Sequence, residues 1–365
     1  MNQRKIKWGV IGSGGIARRR TIPEGFLPAR NAQLTTGYDT NAATNREVGR
    51  QFNSLAVDTL DALVNSDVEA VYVASPVHAH RDQVIACARA GKHVLCEKPL
   101  GLDVAEAEEM LAACREARVC FGAAFMMRFH SQHQAAAKLI HDGQLGHPVY
   151  ARAQLSCWYP PITGAWRQDP TLAGGGSLID MGSHCIDLLE LFFGPVSAVS
   201  CFTNRAVHSY ASEDSAAVLL RFANGALGTV DTFFCIQDNS SRNALELYGS
   251  QGGILATGTI GQGSQGEMTA YLEPGSKLYE ARQARAAATG LRITPEPVNM
   301  YRAEIESFSQ DILEGVATTQ SAILGLRNQK VIAACYESAR TGNMVSIAHI
   351  EMLQCIPSPD TDVKS

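Results

Sequence analysis

Residues 5–17 read KIKWGVIGSGGIA. An apolar strand over residues 5–11 runs straight into glycines and then into a helical pattern, which is the setting a dinucleotide fingerprint requires. Gly12, Gly14 and Gly15 let a backbone approach a pyrophosphate. The helix that opens at Ser13–Ile16 offers N–H donors and the positive end of its dipole. The third fingerprint position is Ala17, which the pattern tolerates. A GxGxxA alone is equally a glycine-rich turn without a ligand, so its surroundings decide. Asp39 closes a second strand (33–38) about 20 residues beyond the fingerprint, where an acid accepts from the adenosine ribose hydroxyls of NAD. The rival reading of Asp39 is a turn or cap residue.

Outward from this stretch, buried strands alternate with helices as far as residue 125. Strands are expected at 70–74 (AVYVA), 93–96 and 119–125, and helices at 41–52, 60–65, 81–90 and 105–117. The continuous apolar run at 70–74 is what a strand buried on both faces requires. Asp103 followed by Glu106 resembles a capping box. The alternation implies parallel strands with crossover helices. From about residue 148 the texture changes. Strands at 148–158, 197–206, 215–222, 226–235, 244–248 and 268–272 imply a second, antiparallel sheet. Asn224-Gly225 marks a hairpin of type I′, a turn with positive φ at both central residues. Helices return at 301–314 and 326–340. Residues 258–265 and 280–289 read as loops, and the tail after Pro357 as a frayed end.

Composition narrows the function. The 365 residues predict about two domains, and a hydrophobic share of 45 % supplies ample core. The formal net charge is −5, so nothing in the balance attracts nucleic acid or an anionic membrane. No run of about 18 apolar residues predicts a membrane span. The basic start at 1–7 is not a signal peptide, because glycines interrupt the apolar run behind it. The ten cysteines lack CxxC spacing and sit in apolar runs, which suits a reducing, cytoplasmic setting. No spacing of Cys or His predicts a metal.

Three further constellations carry chemistry. Ser75-Pro76 with His80 follows the strand at 70–74, at the carboxyl end where open α/β sheets bind ligands. His80 alone reads equally as a residue that caps or packs the next helix. Glu97-Lys98-Pro99 follows the strand at 93–96. A lysine there can donate to a substrate hydroxyl or carbonyl and stabilise oxyanion charge, or it is a surface partner of Glu97. GGGSLIDMGSH over 174–184 carries Asp180 and His184 at i and i+4, on one helix face. Histidine is the natural general base for an alcohol, and a carboxylate raises its basicity or orients it. The rival is a plain helix-surface pair.

Taken in order, GSGGIA, Ala74-Ser75-Pro76 with His80, AGKHVLCEKPL (90–100) and GGGSLIDMGSHCIDL resemble the glucose–fructose oxidoreductase / inositol dehydrogenase / MocA (Gfo/Idh/MocA) family over nearly the whole chain. The resemblance implies an α/β Rossmann dinucleotide-binding domain over 1–125. An α+β domain with an open, mostly antiparallel sheet follows over 126–365, its late helices packing back on the first domain. It implies hydride transfer between a nicotinamide and a carbinol or carbonyl of a sugar, anhydrosugar or cyclitol. Lys98, Asp180 and His184 carry over as the catalytic set. Trp166-Arg167 resembles a pair that faces cofactor and substrate, Tyr301 the nicotinamide side, and Arg128 a substrate contact. Met127 and Val77 stand where the family commonly has a polar residue and Asn. The expected cofactor is NAD, with NADP as the alternative, because Asp39 repels a 2′-phosphate. Apolar residues on both faces of the second sheet imply a homodimer or homotetramer through it. Two rivals remain: a glycosidase or lyase of this fold that uses NAD without net redox, and a non-catalytic sensor. Arg18, Arg19 and Arg20 crowd the first helix without an assigned role.

Overall fold

The structure, a computed structural model, describes residues 4–273, 289–315 and 320–348. Nearly all of the loop expected at 280–289, the tail after Pro357 and Cys355 lie outside the described residues. The first sheet comprises β1 (Ile6–Ile11), β2 (Ala32–Tyr38), β3 (Leu55–Ala56), β4 (Ala70–Val73), β5 (His93–Glu97) and β6 (Phe121–Ala124), in the order β3-β2-β1-β4-β5-β6. All pairings are parallel. Chain direction across the sheet reverses between β1 and β4, which opens a crevice at their carboxyl ends. β4 is buried throughout, as its apolar run predicts. β3 has two residues and an exposed Leu55, too little apolar pattern to be legible.

The turn after β1 is tight. Gly12 has φ +78°, and a Cβ there would lie 2.5 Å from the Ser75 backbone nitrogen. The wide helix that follows, Ser13–Phe26, is broken at Gly15 (φ −86°, ψ −124°). At the later helix Val104–Glu116, Asp103 accepts from the Glu106 N–H at 2.9 Å, and Glu106 accepts from Leu102 N–H rather than from Asp103.

The second sheet has nine strands: β7 (Pro148–Ser156), β8 (Val196–Asn204), β9 (Ser215–Phe222), β10 (Leu227–Phe233), β11 (Ala244–Gly249), β12 (Gly252–Thr257), β13 (Glu267–Leu272), β14 (Leu291–Arg292) and β15 (Val345–Ser346). Their order is β14-β13-β12-β11-β7-β10-β9-β8-β15. Every pair is antiparallel except β7 with β10. In β9, Val218, Leu220 and Phe222 are buried while Ala217, Leu219 and Arg221 face out. The turn after β9 departs from expectation. Ala223, Asn224 and Gly225 form a three-residue loop closed by Phe222 N–H to Ala226 O at 2.9 Å, and of its residues only Gly225 has positive φ. The Asn224 amide donates to Phe193 O at 3.0 Å. That anchor on the helix Ser183–Phe193 favours a type I turn with a left-handed glycine over the two-residue alternative.

Two late helices join the domains. Met300–Leu313 places Met300 and Tyr301 in the second-domain core, and Ile305 and Phe308 beside Trp8 and Phe26 in the first. Trp8 Nε1 donates to Ser309 Oγ at 3.1 Å. Gln320–Thr341 places Ala322 and Leu326 under the first sheet, and Val331, Ile332 and Cys335 under the second. It carries a buried ion pair, Arg327 Nε to Glu190 Oε1 at 2.8 Å, and the same oxygen accepts Val196 N–H at 2.8 Å. Among the described residues no helix is long and apolar enough to cross a membrane.

Removing one member of that pair strands the other as a buried charge. Glu190→Ala is therefore expected to lose about 3–5 kcal/mol in denaturant unfolding. The double variant Glu190→Leu/Arg327→Met should lose clearly less than the sum of the two single losses; additive losses would show that the pair is not coupled.

Candidate active site

The carboxyl ends of β1, β4 and β5 meet the second domain around a cavity of about 760 Å³. Of the residues singled out in the sequence, Gly12, Gly15, Ile16, Asp39, Ser75, Pro76, His80, Glu97, Lys98, Trp166, Arg167, Asp180, His184 and Tyr301 all line it. Three do not. Ser13 is fully buried, its hydroxyl 3.0 Å from Asn45 Oδ1. Gly14 packs where a Cβ would lie 2.6 Å from Thr44 Cγ2. Arg128 turns away from the cavity: its Nε lies 2.8 Å from both oxygens of the buried Asp187 and its Nη2 donates to Asp187 O at 3.2 Å. A buried carboxylate claims this guanidinium, and Met126 and Met127 form the wall instead.

At one end the cavity is shaped for a dinucleotide. Gly14 N–H donates to Asp39 Oδ2 and Asn41 N–H to Oδ1, both at 2.9 Å, so two backbone groups aim the carboxylate. A Cβ on Gly15 would meet only Ala74 O at 3.8 Å, so a side chain there would project into the space a diphosphate needs. Tyr301 is buried and lines the same cavity, with the Arg20 guanidinium beside it. These observations fit a nicotinamide dinucleotide.

His80 has a structural task. It is 1 % exposed. Nε2 lies 2.9 Å from Ser75 O, and Nδ1 lies 3.1 and 3.2 Å from the carbonyls of Pro99 and Leu100. Burial lowers the His80 pKa, and a neutral imidazole carries a single N–H, so the ring donates to one side only and packs between the turn after β4 and the turn after β5.

At the other end three groups converge. Lys98 Nζ donates to Asp180 O at 2.7 Å and to Asp180 Oδ1 at 3.1 Å, across 82 residues of sequence. Arg167 Nε stands 3.4 Å from the same Oδ1, and its guanidinium stacks 4.2 Å above the Trp166 ring. Burial alone would raise the Asp180 pKa, but Lys98 and then Arg167 hold it well below the usual carboxylate range. For His184, burial and then the Lys98 charge push the imidazole well below its ordinary value, with Asp180 opposing. Its Nδ1 has no hydrogen-bond partner, and its ring meets Phe125 edge-on. A wide turn, Leu178–Gly182, precedes the regular helix. The Asp180 hydrogen bonds go to Lys98 and Arg167, so its influence on His184 is electrostatic. Glu97 accepts from Tyr72 Oη and from Lys98 N–H, and burial raises its pKa.

Sequence reasoning missed Tyr159, Phe234, Asp238, Asn243 and Gln262, which complete the wall from the second domain. They come from strand ends and loops scattered over a hundred residues, with no local motif to flag them. Among the described residues no group of three or more His, Cys, Asp or Glu side chains is placed to hold a metal ion.

Comparison with known proteins agrees with this geometry. Residues 6–125 match the oxidoreductase family with an NAD-binding Rossmann fold, and residues 133–255 match the GFO/IDH/MocA C-terminal domain. The chain belongs to the GFO/IDH/MocA family. Among family relatives, the 1,5-anhydro-D-fructose reductase of Ensifer adhaerens is 29 % identical over 84 % of this chain and 88 % of its own. A D-xylose 1-dehydrogenase (NADP⁺) of Haloferax volcanii is 28 % identical over 94 % of this chain and all of its own. The crystal structure of an aldose–aldose oxidoreductase from Caulobacter crescentus superposes with a TM-score of 0.84 at 27 % identity, covering 94 % of this chain and all of that one. This GFO/IDH/MocA member is an oxidoreductase with a nicotinamide-dinucleotide domain.

The charges around His184 fix the sign of its response to mutation. In histidine NMR titrations it should titrate below the ordinary value near 6.5. Lys98→Met removes a cation that lowers the pKa and should raise it. Asp180→Asn removes an anion that raises it and should lower it further. Shifts of opposite sign would refute the electrostatic reading.

Proposed function

We propose that this enzyme interconverts a carbinol and a carbonyl on a neutral sugar, anhydrosugar or cyclitol, with Lys98, Asp180 and His184 around the reacting carbon. The observation that carries the reading is a buried imidazole, its pKa held low by burial and the Lys98 charge, near a lysine already held in place by a carboxylate. An ammonium has three N–H donors; two of Lys98's face Asp180, which leaves one for a substrate oxygen. In the oxidative direction His184, the general base, takes the hydroxyl proton. In the reductive direction it returns that proton while Lys98 polarises the carbonyl. Asp180 holds Lys98 in position and balances its charge. The nicotinamide supplies hydride chemistry when bound. Trp166, Tyr159 and Phe234 offer aromatic faces to the C–H faces of a sugar ring.

Lys98→Ala should lower kcat by about 10²–10³ and His184→Ala by about 10²–10⁴, with little change in NADH affinity. Because both act on one oxygen, the double variant should lose less than the product of these factors. Net NADH formation on a free sugar is the expected readout, and a folded Lys98→Ala enzyme with parental kcat would overturn the reading.

Both cations at the substrate end, Lys98 and Arg167, are paired with Asp180, and Asp238 adds an anion to the wall. Neutral sugars should therefore be turned over with higher kcat/KM than their phosphates or uronic acids; a preference for the charged forms would refute this. NAD should be preferred to NADP. Asp39 stands where a 2′-phosphate would be repelled, and nearby Arg46 is ion-paired with Asp58 at 3.3 Å. A kcat/KM ratio favouring NADP would reject that role for Asp39.

The outer face of the second sheet exposes Phe202, Leu219 and Leu227 at 79, 60 and 53 %. It supports assembly into a homodimer or homotetramer. Light scattering should return a multiple of the 39.2 kDa chain, and Leu219→Asp should shift it towards the monomer. The described cysteines are free thiols, which supports a cytoplasmic setting.

A further inference from the structure

The three consecutive arginines of the helix Ser13–Phe26 occupy three different environments. Arg18 is partly exposed, ion-paired with Glu47 at 2.7 Å and hydrogen-bonded to Gln51 at 3.2 Å, whereas Arg19 is exposed. Arg20 lies 5.6 Å from the centre of the Tyr301 ring, pairs with Glu24 at 2.7 Å, and donates through Nη2 to the backbone carbonyl of Gln262. Arg19 lines the cavity with Gly12, Gly15 and Ile16, and no hydrogen bond or ion pair with another described residue engages it.

Gln262 comes from the other domain. β12 and β13 pair to their ends, Thr257 opposite Glu267, so residues 258–266 leave the sheet as one excursion. Its base is fixed: Thr259 and Ile260 are buried, and Gly266 O accepts from Gln132 Nε2 at 3.1 Å. Gly258 (φ +70°) and Gly261 (φ +143°) take conformations that side chains disfavour, and the tip, Gly261-Gln262, forms part of the cavity wall. The excursion is thus a second-domain wall joined to the first domain beside the glycine turn.

The glycine turn is short of positive charge for a diphosphate. The Gly14 N–H is already bound to Asp39, and the helix is interrupted at Gly15, which weakens its dipole at that end. Helical side chains lean towards the N-terminus of their helix. Arg19 lies about one turn beyond Gly15 and Ile16 and lines the cavity together with them and Gly12.

We propose that Arg19 pairs with the cofactor's diphosphate. The 258–266 loop, latched to Arg20 through the Gln262 carbonyl, closes the outer side of the same site, so dinucleotide release requires the latch to open. This rests on the dinucleotide site and not on the identity of the sugar.

The test uses the full chain without any sugar, so its outcome is independent of the substrate reading. Arg19→Ala and Arg19→Gln should each raise the Kd of NADH and of ADP-ribose by about tenfold or more, the usual weight of a charge-assisted hydrogen bond. Arg18→Ala should leave both unchanged. In stopped-flow displacement, Arg20→Ala and deletion of residues 261–264 should each speed NADH release several-fold, with thermal melts confirming a folded protein. Folded Arg19 variants that bind ADP-ribose like the parent, or that weaken only NADP(H), would overturn the diphosphate contact. Release that is faster in Arg20→Ala but parental in the loop deletion would overturn the latch, because Arg20 would then act through Tyr301.

Discussion

One helix that belongs to two hydrophobic cores sets the geometry of everything between them. Residues at the start of Gln320–Thr341 pack under the first sheet and residues further along pack under the second. Met300–Leu313 repeats the arrangement from the other side. A cleft between independently moving domains could not hold Lys98 Nζ within 3.1 Å of an Asp180 oxygen 82 residues away. Close-packed interiors resist small displacements, and these helices convert that stiffness into a fixed distance across the cleft.

The electrostatics of the cleft follow from how few groups share its charge. One carboxylate, Asp180, answers two cations, Lys98 and Arg167, and all three are shielded from bulk water to differing degrees. His184 has burial and a neighbouring ammonium against it, which hold its pKa well below the ordinary value. An uncharged imidazole beside a held ammonium is a base next to an electrophile. In the proposed reaction that pairing serves either direction of a carbonyl–carbinol exchange.

Much of this was legible in the sequence because it is periodic or local. Parallel strands buried on both faces leave apolar runs such as 70–74, and turns at strand ends leave Gly12–Gly15, Ser75-Pro76 and Glu97-Lys98. What escaped was short or non-local. β3, β14 and β15 are two-residue strands made only by edge pairing, and β12 opens on two glycines. Arg128 looks the same in a sequence whether it meets a substrate or a buried Asp187. The Asn224-Gly225 signal placed the hairpin but not its turn type, which an anchor on Phe193 O decides. What Arg20 does depends on a loop more than two hundred residues away.

The ring of His80 has a consequence for how such an enzyme diversifies. Seated between the carbonyl of Ser75 and those of Pro99 and Leu100, it packs the turn after β4 against the base of Lys98. Asp39 hangs from a separate pair of backbone amides at the opposite end. The turn that carries Lys98 and the turn that carries Asp39 are thus held by separate sets of contacts. A substitution at Asp39 or its neighbours can reshape one end of the cavity while the packing that holds Lys98 at the other stays as it is.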